Sequence, residues 1–64
     1  MKIIVTQDEI APRQWRFVAM TEHDHENYEP EYPAGTGASP LLACEDLLWH
    51  LDLDDDTQYE MEIR

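Results

Sequence analysis

Gly35-Thr36-Gly37-Ala38-Ser39-Pro40 runs straight into Leu41-Leu42-Ala43-Cys44-Glu45-Asp46-Leu47-Leu48-Trp49-His50-Leu51, and no other stretch carries so firm a local instruction. The Ser39 hydroxyl can accept a hydrogen bond from an otherwise unpaired backbone N–H. Pro40 suits the first helical position because it has no N–H to leave unpaired. The residue three after Ser39 is Leu42, so no reciprocal capping box forms. At about 100° per residue, Leu41, Ala43, Cys44, Leu47, Leu48 and Leu51 share a broad apolar face and are expected in the core. Glu45 and Asp46 fall opposite, together with Leu42 and Trp49. An apolar pair on that side has two readings: the 22–32 segment folds over it, or it is a dimer or partner surface.

The remaining chain reads as short strands that such a helix would cover. Residues 1–6 are β-branched, with Met1, Ile3 and Val5 on one side and Lys2, Ile4 and Thr6 on the other. A connection over 7–12 ends at Pro12, and Arg13 to Thr21 is a second strand with Trp15, Phe17 and Ala19 on one face. Its two arginines should be ringed by acids from elsewhere. Residues 22–31 are polar and acidic and read as a loop, 31–35 as a short edge strand, and Gly35-Thr36-Gly37 as the turn into the helix. Thr57 to Ile63 alternates, with Tyr59, Met61 and Ile63 inward and Gln58, Glu60 and Glu62 outward. The order β-β-β-α-β predicts one α+β domain over 1–64, a three- or four-stranded antiparallel sheet covered on one face by a single helix.

Charge limits the partners. Fifteen acids against four bases give a formal net charge of −11. A nucleic-acid backbone is bound by Lys and Arg that displace counterions, and Lys2, Arg13, Arg16 and Arg64 are the whole supply. Direct nucleic-acid binding is not expected. A basic protein partner is, because complementary fields steer encounter; solubility alone is the plain alternative. A core this small gains from association, and the lone Cys44 rules out a disulfide within the chain, so a homodimer is the default expectation. One cysteine, no apolar leader and no run of about 20 apolar residues give a cytoplasmic, non-membrane expectation.

Several local patterns approach chemistry and fall short. On a strand, His23 and His25 would share a face, but two imidazoles make an incomplete metal shell. Asp52, Asp54 and Asp56 resemble the opening of a calcium loop, yet Thr57 stands where that loop has Gly and Ile63 where it has Glu. Gly35-x-Gly37 has no lysine after it to hold a phosphate. Cys44 has no basic neighbour to favour a thiolate and reads as a buried apolar residue. No carboxylate pair stands out as an acid–base couple. The expectation is no enzyme, no cofactor and no metal. The acids after Leu51 oppose the helix dipole, and mildly favour a recognition surface.

Gly35-Thr36-Gly37-Ala38-Ser39-Pro40-Leu41-Leu42-Ala43-Cys44-Glu45-Asp46-Leu47-Leu48 resembles the Gly-x-Gly-x-Ser/Thr-Pro-x-x-Ala-x-x-x-Leu-Leu turn and helix of small HicB-like proteins, and Trp15-Arg16-Phe17-Val18-Ala19 is similar to their second strand. The chain departs from that family in lacking its Pro-x-x-x-Gly segment before the turn and its DNA-binding tail. The resemblance implies a partial ribonuclease-H-like fold and an antitoxin-like role against a small basic toxin. The leading expectation is therefore a non-enzymatic module that neutralises or regulates a basic protein. Leu42 and Trp49 would anchor that partner, and Glu45, Asp46, Asp52, Asp54, Asp55 and Asp56 would face it. The alternatives are a phage-type acidic inhibitor that imitates nucleic-acid charge against a host defence or DNA-binding protein, and an orphan domain without a specific partner.

Overall fold

The computed structural model describes residues 1–27, 29, 31–54 and 56–64. Its elements are β1 (Lys2–Gln7), β2 (Phe17–Thr21), a one-turn helix α1 (Glu22–Glu26), β3 (Gly35–Gly37), α2 (Pro40–His50) and β4 (Glu60–Ile63), with a 3-10 turn at Arg13–Trp15. The architecture is α+β, an open four-stranded sheet in the order β3-β2-β1-β4 with one main helix. Among the described residues no peptide bond is cis, and Asp52 is the only non-glycine residue with positive φ.

The sheet is mixed rather than antiparallel. β1 pairs antiparallel with β2, with Val5 opposite Ala19, and β2 antiparallel with β3, with Ala19 opposite Gly35. β4 instead lies parallel to β1, with Ile3 beside Met61 and Val5 beside Ile63. The cause is the helix. β3 already runs parallel to β1, and the chain returns through α2 to the far edge, the kind of crossover that parallel strands require.

Two glycines decide where α2 sits. Gly35 and Gly37 are buried, and neither has positive φ. A Cβ on Gly35 would lie 2.1 Å from the Ala43 carbonyl oxygen and 2.3 Å from the Leu47 nitrogen. One on Gly37 would lie 2.7 Å from the Ala43 nitrogen. The expected turn is therefore an edge strand, and its glycines serve close approach of helix backbone to strand backbone. α2 packs chiefly on β3 and β2, and little on β1.

Ile3, Val5, Ala19, Ala43, Cys44, Leu47 and Leu48 form the core, with Phe17, Leu51 and Tyr59 packed against it. Leu41, expected there, is 53% exposed. Trp15 is exposed too, because Pro12 is followed by the 3-10 turn in which the Trp15 N–H donates to the Pro12 carbonyl, and β2 starts only at Phe17. The opposite sheet face is also covered. Ile4 and Met20 are cross-strand partners there and both are buried. α1 packs against β1 and β2, and its Glu22 pairs with Lys2, which shares the face of Ile4.

That short helix replaces the first half of the expected 22–31 loop; Tyr28 and Pro30 lie outside the described residues. The Thr21 hydroxyl caps α1 by accepting the Asp24 N–H at 3.2 Å, and Glu22 and Asp24 suit the positive end of its dipole. Neither Arg13 nor Arg16 is in an ion pair among the described residues, against the expected ring of acids. Lys2 pairs with Glu62 at 3.0 Å and Glu22 at 3.4 Å, and Arg64 pairs with Glu62.

Two outcomes test this packing. Gly35→Ala should cost roughly 3 kcal/mol or more, since backbone must move to admit one methyl group, whereas Thr36→Ala on the exposed side should stay within about 0.5 kcal/mol. Urea denaturation distinguishes them. The Lys2 ammonium, then the Arg64 guanidinium, hold Glu62 below the usual carboxylate range. A lowered folded pKa contributes stability above the unfolded value that is lost as pH falls through the lowered one. The wild type should therefore exceed Glu62→Gln at neutral pH, and the gap should close on acidification; urea midpoints through the carboxylate range measure it.

Candidate functional site

α2 forms where its sequence indicates. Ser39 is extended, its hydroxyl accepts the Leu42 N–H at 3.2 Å, and Pro40 opens the helix. Ala43, Cys44, Leu47 and Leu48 point into the core, which leaves Leu42, Glu45 and Trp49 on the outer side at helical spacings of three and four. Leu42 is 49% exposed and Trp49 is 73% exposed. The described residues of the 22–32 segment do not cover them: its helix packs on the other side of the sheet, against β1 and β2. The Trp49 ring meets His50 edge-on, with ring centroids 5.2 Å apart. Leu41 adds to this apolar surface.

The acids assigned to the same surface differ in what they do. Glu45 is exposed along the helix between Leu42 and Trp49. Asp46 already has partners: its carboxylate accepts the Thr36 N–H at 2.9 Å and lies 3.4 Å from His50 Nε2. It ties the outer edge of β3 to α2, a role that sequence spacing alone does not reveal. Asp54 and Asp56 are exposed in the turn after the helix, where the Thr57 N–H donates to the Asp54 carbonyl at 3.0 Å. Asp55 lies outside the described residues.

Asp52 has a backbone role. Its φ of 58° puts it in the left-handed region just past the helix C-cap Leu51. The Asp52 N–H donates to the Trp49 carbonyl at 3.1 Å and the Leu53 N–H to the Leu48 carbonyl at 2.9 Å. This pair of bonds is a Schellman ending, where glycine is the usual residue. The chain places an aspartate there, against both the backbone preference and the helix dipole.

The other candidate chemistry does not assemble. His23 and His25 lie on α1 rather than on a strand, and two residues apart on a helix they diverge. Among the described residues no three His, Cys, Asp or Glu side chains gather as a metal site. Cys44 is fully buried; burial pushes its thiol up, with the neighbouring Tyr59 hydroxyl opposing. No Lys or Arg occurs between Arg16 and Arg64, while thirteen of the fifteen acids do.

No family description, curated protein or solved structure matches this chain. No helix among the described residues is long and apolar enough to cross a membrane.

Asp52→Gly relieves both penalties at the helix end. It should stabilise the chain by about 1 kcal/mol, which is a rise of roughly 4–8 °C in a thermal melt of a domain this size. An unchanged or lowered melting temperature would contradict the strained reading of Asp52.

Proposed function

We propose that this chain is a small, acidic, non-enzymatic binding module that acts in the cytoplasm and neutralises or regulates a basic protein partner, in the manner of a HicB-like antitoxin. The observation that carries the reading is the outer ridge of α2. Leu42 and Trp49 stand uncovered on either side of Glu45. Tryptophan is among the residues enriched at the energetic centre of protein interfaces. The surrounding chain supplies acid without base, with Asp52, Asp54 and Asp56 exposed at the helix end. Asp46 contributes charge to the same side, while its carboxylate oxygen remains committed to Thr36 and His50. The strand-strand-strand-helix-strand order implied by the HicB-like resemblance is compatible with this fold once α1 is counted as an insertion.

Such a surface attracts its partner by long-range charge and holds it by a few apolar contacts. The first part is screened by salt; the second is lost when the anchors are truncated. Immobilised chain should retain a basic protein from host extract at low ionic strength and release it as salt is raised. Leu42→Ala with Trp49→Ala should abolish retention while leaving the circular dichroism spectrum and melt nearly unchanged, since both residues are exposed. Equal retention by the double variant, or none by the wild type, would sink the proposal. The exposed aspartates favour a second reading, imitation of nucleic-acid charge, and that reading requires duplex DNA to compete for the captured protein.

A further inference from the structure

The sheet has two edges, and they are finished differently. At β3 the strand is three residues long, and its outward Thr36 N–H is held by Asp46. At β4 the edge is open among the described residues. The Glu60 N–H donates to the Met1 carbonyl and the Arg64 N–H to the Val5 carbonyl, each at 2.8 Å. Strand alternation then turns the Glu62 peptide groups toward β1 and the N–H and C=O of Met61 and Ile63 outward. Their side chains lie on the same sheet face as Ile3 and Val5, beyond the reach of α2. They are 37% and 59% exposed.

We propose that a second copy of this chain pairs antiparallel along this edge, with the two-fold axis at Glu62, to give one continuous sheet. Charge selects that register. Antiparallel neighbours share a face, so the axis falls on a residue, and an axis at Met61 or at Glu62 keeps both Met61 and Ile63 opposite residues of the other copy, which one at Ile63 does not. An axis at Met61 sets Glu60 opposite Glu62 of the other copy twice over, which is repulsive. An axis at Glu62 sets Glu60 opposite Arg64 and Met61 opposite Ile63, each twice. The outward peptide groups of Met61 and Ile63 then exchange both hydrogen bonds of each pair. The remaining like-charge meeting, Glu62 with its own copy, is countered within each chain by Lys2 and Arg64. Exposed charged residues normally guard an open edge; here the guard at Glu62 is already neutralised, and the one at Glu60 has a complement.

This pairing is independent of the α2 ridge, which lies toward the opposite edge of the sheet. Sedimentation equilibrium of the full chain at about 0.15 M ionic strength, where charges beyond about 8 Å are screened, should show a reversible dimer as concentration approaches about 1 mM. Glu60→Arg and Arg64→Glu should each weaken it by about tenfold, by setting like charges opposite at two places, and the two together should restore it. Ile63→Pro, which removes only an outward N–H, should leave a folded monomer. A chain that stays monomeric throughout overturns the proposal. So does a dimer that survives Ile63→Pro, or single reversals that the double does not rescue.

Discussion

At Gly35 the helix and the sheet meet backbone to backbone. α2 lies on β3 with no side chain between them at Gly35, and the rest of the architecture follows from that approach. It draws the helix toward the β3 edge, so the Asp46 carboxylate reaches the Thr36 N–H and closes that side. It also leaves Met61 and Ile63 at the far side beyond the helix, half in solvent. A centred helix would have buried both edges poorly. An offset one seals the first and exposes the second.

Much of this was legible in the residues, and each misreading has its own physical cause. Ser39-Pro40 fixes a helix start by local chemistry, and α2 begins there. Ile3, Val5, Ala19, Ala43, Cys44, Leu47 and Leu48 are buried as periodicity requires. The function of Gly35-x-Gly37 was not legible, because glycine before a capped helix looks the same whether it turns the chain or admits a neighbour. α1 was hidden for a different reason. Five polar residues carry no apolar period, and only the Thr21 cap marks them. The direction of β4 depends on where α2 crosses the sheet, which no local pattern encodes. On the candidate surface, the helical wheel placed Leu42 and Trp49 on the outer side of α2, but whether the 22–32 segment covers them was not readable from it. The commitment of Asp46 to β3 was not readable either, since it joins residues ten apart in sequence through the fold.

Charge is distributed with a similar asymmetry. Lys2 and Arg64 converge on Glu62 across β1 and β4, so half of the chain's cations are used to settle one edge of the sheet. The long span between Arg16 and Arg64 is left without a lysine or arginine of its own. At the end of α2, within that span, Asp52 gives up the backbone conformation it would favour. The left-handed aspartate and the acids that oppose the helix dipole thus lie at the same end of α2 as the exposed Trp49.

The bare contact at β3 also limits how this sequence can drift. A side chain that collides with another side chain can be accommodated by trimming the neighbour, and at Gly37 part of the obstruction is the Leu42 side chain. At Gly35 the atoms in the way are the Ala43 carbonyl oxygen and the Leu47 nitrogen and Cα, which every residue type possesses. No second-site substitution in α2 removes them. Divergence at that position must wait for the whole helix to lift, so Gly35 should behave as a fixed point around which other core positions exchange.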